Sequence, residues 1–128
     1  MTALIRINQE GQFSEIAEGD AVASALPVGD VASHDQITQL LDLSTVRLQV
    51  DGFVDGRGFT VARQLRLLGF AGVIEVIGDL LPDQLPMAAA SGIDAILIRA
   101  EHARRCEESQ WRLKSRDKNR FGYQRSVA

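Results

Sequence analysis

Gly56-Arg57-Gly58, inside the run Asp55-Gly-Arg-Gly-Phe-Thr60, has the residue types and spacing of an anion cradle. Two glycines let a backbone turn tightly and bring its amides against a ligand, and the arginine between them adds a fixed charge. The run comes after an alternating segment, Val46 to Val50, and precedes a helical pattern, Phe59 to Leu68. That junction is where α/β proteins direct N–H groups at phosphate, sulfate or carboxylate. The competing reading is structural, a tight loop in which Arg57 pairs with Asp55 or Asp79 and ties neighbouring loops together. Asp55 favours the second reading, because a carboxylate beside the cradle repels an anion. The run is not a P-loop, and it lacks the third glycine of a dinucleotide fingerprint.

Other polar residues extend the choice. Arg63 and Arg66 lie three apart on the polar side of the helix, either widening a positive site or standing as solvated helix charges. Asp79 comes directly after the next strand and is the candidate general base. With Asp83 it forms either a carboxylate pair or the caps of a helix. His34 and His102 lack a metal-ligand spacing, and the single Cys106 excludes an internal disulfide or a multi-cysteine metal site. Cys106 shares a helical stripe with Ala103 and reads as a small buried residue. No metal is expected, no cofactor is indicated, and no nucleophile elbow is present.

Hydrophobic periodicity gives the strands and helices that would hold these groups. Leu4–Ile7 and Phe13–Ile16 flank a Gly-containing turn and read as a hairpin. Residues 18–33 read as a loop with one short strand, and Ser33 as the cap of a helix over 34–41. Strands are expected at 46–50, 72–77 and 95–98. Helices are expected at 59–68, stopped by Gly69, and at about 83–91, stopped by Gly92, with Pro86 tolerable only in a first turn. A last helix is expected from about 101 to 118, with Ala103, Cys106, Gln110 and Leu113 on a thin apolar stripe, Trp111 near its edge, and Phe121 and Tyr123 beyond it. Strand–helix alternation with short connections implies an α/β fold: a small parallel sheet of βαβαβ units with an N-terminal β-hairpin and a C-terminal helix. Within one domain, residues 1–33 are hairpin and loop, 34–98 the βαβ core, and 99–128 a basic helical tail. Ligands of such sheets bind beyond the carboxyl ends of the strands, which gathers Asp51, Asp55, Arg57, Asp79, Arg99 and Glu101 along one edge.

The chain has 128 residues, enough for one core. Residues 1–98 carry 5 of the 14 Lys and Arg and 13 of the 17 Asp and Glu, a balance of −8, while 99–128 carry the other 9 and 4, a balance of +5. The basic segment is expected to meet an acidic surface, on its own body or on another chain. The acidic body argues against nucleic acid. No apolar stretch has the length of a membrane span, and the N-terminus shows no secretory pattern, so the expected place is the cytoplasm.

The stretch from Phe53 to Asp94 resembles a bacterial family filed as a domain of unknown function. The resemblance rests on Asp55-Gly-Arg-Gly-Phe-Thr60, Ala62-Arg63, Leu65-Arg66, Gly69-Phe70, Gly72, Gly78-Asp79, Asp83-Gln84-Leu85, Gly92-Ile-Asp94 and the terminal Phe121-Gly-Tyr-Gln124. It implies a gene context beside assimilatory sulfite or nitrite reductase, and some members are labelled oxidoreductases. This chain is a divergent member, with Glu75 where the family usually has a basic residue and Ala89-Ala90-Ser91 where it has a basic pair and a cysteine. The leading expectation is an accessory protein of sulfite (or nitrite) reduction. Asp55, Gly56, Arg57, Gly58, Arg63 and Arg66 would bind a small anion or a partner such as the reductase, and the chain would form a homodimer. The alternatives are a small enzyme, with Arg57 and Arg63 holding an anionic substrate for Asp79, and a structural subunit without a ligand site.

Overall fold

A computed structural model describes residues 3–31 and 33–116. The expected tail beyond 116, with Phe121, Tyr123 and the Phe121–Gln124 motif, lies outside the described residues. Six strands form one sheet: β1 (Ala3–Asn8), β2 (Phe13–Ala17), β3 (Ala25–Pro27), β4 (Thr45–Gln49), β5 (Val73–Ile77) and β6 (Ala95–Arg99), in the order β2-β1-β6-β5-β4-β3. β3 through β6 are parallel. The hairpin is not an appendage, because β1 pairs antiparallel with β6 through Leu4↔Arg99 to Asn8↔Ala95, making the sheet mixed.

The parallel strands are laid down in sequence order, each beside the last. Right-handed crossovers repeated in one direction put every connecting helix on the same face. That face holds the main core, in which Val46, Leu48, Ile74, Val76, Ile96 and Ile98 meet α2 (His34–Thr38), α3 (Arg57–Leu67) and α4 (Leu85–Ala90). Helix α3 supplies Phe59, Val61, Ala62 and Leu65. Each fully buried aliphatic side chain contributes about 1.5–3 kcal/mol. Helix α2 starts at the expected cap, with Ser33 accepting from the Gln36 amide and Gln36 accepting from that of Ser33, but it ends at Thr38 rather than Leu41. Pro86 falls within the first turn of α4.

Among the described residues, the opposite face has a small core of Leu4, Ala21, Ile77 and Leu97. Its cover, α1 (Glu18–Ala23), occupies a segment expected to be loop, since six residues with one buried alanine carry no readable period. Elsewhere the face is polar. Glu75 is 3 % exposed and accepts from Arg6 Nε on β1 at 2.7 Å and from Arg47 Nε on β4 at 2.6 Å. Two partners let a carboxylate sit in the middle of a sheet without an unmet oxygen.

The expected single C-terminal helix is two: α5 (Ala100–Arg105) and α6 (Glu108–Ser115). Glu107 starts α6 in a capping box with Gln110, which resets the helical phase. The expected stripe holds in its first half, where Ala103 and Cys106 pack against the main core, and fails in its second, where Gln110 and Leu113 face outward. Trp111 is wholly buried, its Nε1 donating to the Cys106 carbonyl at 2.9 Å, while Leu113 is exposed. Gly11, at φ +80°, packs so tightly on α6 that a Cβ would lie 2.5 Å from the Trp111 carbonyl carbon. Lys114 meets Asp83 at 3.1 Å, a contact of the basic segment with the chain's own body.

Replacing Glu75 by Ala leaves two guanidiniums facing each other without their shared anion. Urea unfolding is expected to show a loss of about 3 kcal/mol. A loss under about 0.5 kcal/mol would remove the triad from the account of stability.

Candidate functional site

The carboxyl edge of β4, β5 and β6 carries the loops in question. After β4 the chain makes a turn closed by the Asp55 amide donating to the Gly52 carbonyl at 3.1 Å, with Phe53 and Val54 at its corners. Asp55 anchors both ends of the passage from this turn into α3. Its Oδ2 accepts from the Asp51 amide at 3.1 Å, its Oδ1 from the Arg57 amide at 3.2 Å, and the Arg57 guanidinium binds both oxygens at 2.9 Å. The Asp55 side chain is only 7 % exposed. Arg57's hydrogen bonds, aided by the two amides, hold its carboxyl far below the usual range despite the opposing effect of enclosure.

The glycine–arginine run therefore lies in the helix rather than before it. Gly56 is the N-cap of α3 and Arg57 its first residue, two positions earlier than expected. Gly58 is buried, and a Cβ there would lie 3.0 Å from Val50 Cγ1 and 3.6 Å from Val76 Cγ2. Close packing of α3 on the sheet thus accounts for Gly58. The amide of Arg57 is directed at the chain's own carboxylate.

The structure brings Asp55, Gly56, Arg57 and Gly58 together, and Asp51 joins them with Oδ2 3.5 Å from Arg57 Nη2. Arg63 and Arg66 lie apart from this group. Arg63 reaches Ser91 Oγ at 3.5 Å. Arg66, near the other end of α3, makes five hydrogen bonds: two to the Gly92 carbonyl, one each to those of Phe70 and Gly72, and one to Asp94 Oδ2 at 2.9 Å. It clamps the turns that lead into β5 and β6.

Asp79 comes after β5 on the same edge as the Asp51 turn, but its partner is Arg99. The Arg99 amide donates to Oδ1 at 3.1 Å, and Nε donates to Oδ2 at 2.6 Å. That carboxylate in turn raises the Arg99 guanidinium above its ordinary value. Asp83 is held by Lys114, so Asp79 and Asp83 have separate partners. His102 Nε2 lies 2.7 Å from the Leu80 carbonyl oxygen, and His34 begins α2. Among the described residues no helix is long and apolar enough to cross a membrane.

Sequence reasoning did not single out Phe53 and Val54, which are 53 % and 82 % exposed. The signal was present, since turn corners ordinarily carry Gly, Pro, Asn, Asp or Ser. Gln84 Nε2 donates to the Phe53 carbonyl at 2.7 Å, fixing the turn from a third side.

A family described as "Bacterial protein of unknown function (DUF934)" matches residues 27–128, and the chain belongs to it. No curated protein and no solved structure matches.

Asp55→Ala removes the carboxylate bridging two amides at the start of α3, and a stability loss of about 1–2 kcal/mol is expected at neutral pH. Because the folded-state carboxyl is depressed, Asp55's contribution is full above the unfolded-state value near about 4 and fades as pH falls toward the folded one. The gap between wild type and variant in denaturant titrations should accordingly narrow below about pH 4. A gap that widens there would contradict the geometry.

Proposed function

We propose that this member of the DUF934 family is a partner-binding accessory protein of assimilatory sulfite (or nitrite) reduction that works in the cytoplasm. It docks on a reductase through the turn after β4. The observation that carries the reading is the presentation of Phe53 and Val54, 53 % and 82 % exposed, on a turn held at Asp51, Phe53, Asp55 and Arg57. Aromatic side chains on a fixed support bind partners with little ordering cost. The reductase context comes from the sequence resemblance, and the turn supplies the means of contact.

Partner docking fits this edge better than capture of a free anion, because Asp55 already holds the Arg57 guanidinium and its amide. The enzymatic alternative asks Arg57 and Arg63 to hold an anion beside Asp79. The geometry supports it less, since Arg57 is engaged by Asp55, Arg63 by Ser91 and Asp79 by Arg99.

Biolayer interferometry against purified assimilatory sulfite reductase tests the reading. The pair Phe53→Ser and Val54→Ser is expected to weaken binding at least about tenfold, with a melting temperature within about 2 °C of wild type. Equal affinity of the variant and the parent would remove the turn from the interface.

A further inference from the structure

From Asn8 to Val46 the chain carries seven carboxylates and no lysine or arginine. Residues 117–128, which lie outside the described ones, carry Lys118, Arg120 and Arg125 against Asp117, with Phe121 and Tyr123 between the last two cations. A basic segment with aromatic anchors is matched by an acidic surface that offers an apolar recess.

The helical face has such a recess. Where the end of α3 meets α2, His34, Ile37, Gln64, Leu67 and Leu68 line a cavity of about 230 Å³. A cavity of about 150 Å³ takes benzene, so this one admits a phenyl ring. Ile37 is buried beneath it, but Leu67 and Leu68, 79 % and 40 % exposed, offer apolar surface to an occupant. The α2 side is acidic, with Asp35 in the helix and Asp42 just beyond it, both exposed. No lysine or arginine lines the space.

The chain's own Phe121 falls short of this recess. Helices on one face follow the strand order, so the layer runs α2, α3, α4, α6. Packed helices stand about 8–10 Å apart, which puts α3 about 16–20 Å across from α6. α6 also ends at the carboxyl edge, where Lys114 meets Asp83, whereas the recess lies at the last turn of α3, toward the amino edge. That adds about 15 Å along the layer, the length of α3. The diagonal is over about 20 Å, and the five residues from Arg116 to Phe121 extend about 18 Å at most.

We propose that the recess receives the 117–125 segment of a second copy of this chain. Phe121 seats against Leu67 and Leu68, while Lys118 and Arg120 face Asp35 and Asp42. The exchange is reciprocal, each copy giving one segment and taking another, so a closed two-fold dimer results. The interface lies away from the turn after β4 and does not rest on the reductase reading.

Sedimentation equilibrium on the full chain tests this directly. The parent is expected to dimerise with a Kd of about 10 μM. Phe121→Ser and, separately, Leu67→Asp are each expected to weaken the dimer at least about tenfold. The pair Asp35→Lys and Asp42→Lys should do the same, and adding Lys118→Glu and Arg120→Glu should restore affinity to within about threefold of the parent. Phe53→Ser with Val54→Ser should leave dimerisation unchanged. The proposal is overturned by a parent that stays monomeric at about 200 μM, by a dimer that keeps its affinity in both Phe121→Ser and Leu67→Asp, or by one lost in the Phe53/Val54 pair. A drop in melting temperature from Phe121→Ser that is independent of protein concentration would also overturn it, since that marks a segment docked on its own chain.

Discussion

Four parallel strands placed side by side in chain order impose the constraint that shapes this molecule. Because β3, β4, β5 and β6 never reverse direction across the sheet, α2, α3 and α4 share one face and form the deep core there. The other face must be closed by other means. The chain does so with a six-residue helix packed through Ala21, with the hairpin strand β1 added beside β6, and with a carboxylate held between two arginines. Each contributes to burial on a face that, among the described residues, has no second layer of long helices. Together they leave the carboxyl edge partly open.

The same winding explains why that edge is polar and ordered. Strand ends release backbone groups that need partners, and here side chains of the adjoining loops supply them. Asp55 takes two amides, Asp79 takes that of Arg99, and Gln84 reaches across to the Phe53 carbonyl. The arginines placed near these carboxylates neutralise them locally. Beside these exposed charged side chains the turn also presents two apolar ones, Phe53 and Val54, and that contrast underlies the functional reading.

Much of the fold was legible because long periodic segments leave little choice. Val61, Ala62 and Leu65 declared α3, and the apolar run before Arg99 declared β6. Short elements were not legible: α1 has one buried residue, and no pattern can be read from one. The C-terminal segment misled because its phase was carried through Cys106, although Glu107 and Gln110 stand at capping-box spacing and mark a restart that turns Trp111 inward. At the site, the pairing of Arg57 with Asp55 was readable from two-residue proximity. The role of Arg66 was not, because its partners are mostly carbonyl oxygens up to 26 residues away, which sequence chemistry does not reveal. The shared edge of Asp51, Asp79 and Arg99 is a direct consequence of parallel strands, whereas the entry of β1 beside β6 depends on a long-range pairing no local pattern encodes.

The functional reading stands or falls on the turn after β4 being a fixed platform rather than a mobile loop. Backbone ¹⁵N relaxation distinguishes the two. Residues 51–57 are expected to show order parameters like those of α3, about 0.85, with the Asp51 and Arg57 amides as rigid as the helix. Values below about 0.6 across Phe53 and Val54 would be incompatible with docking through this turn, since a segment free to move cannot present its apolar corners as a preformed surface.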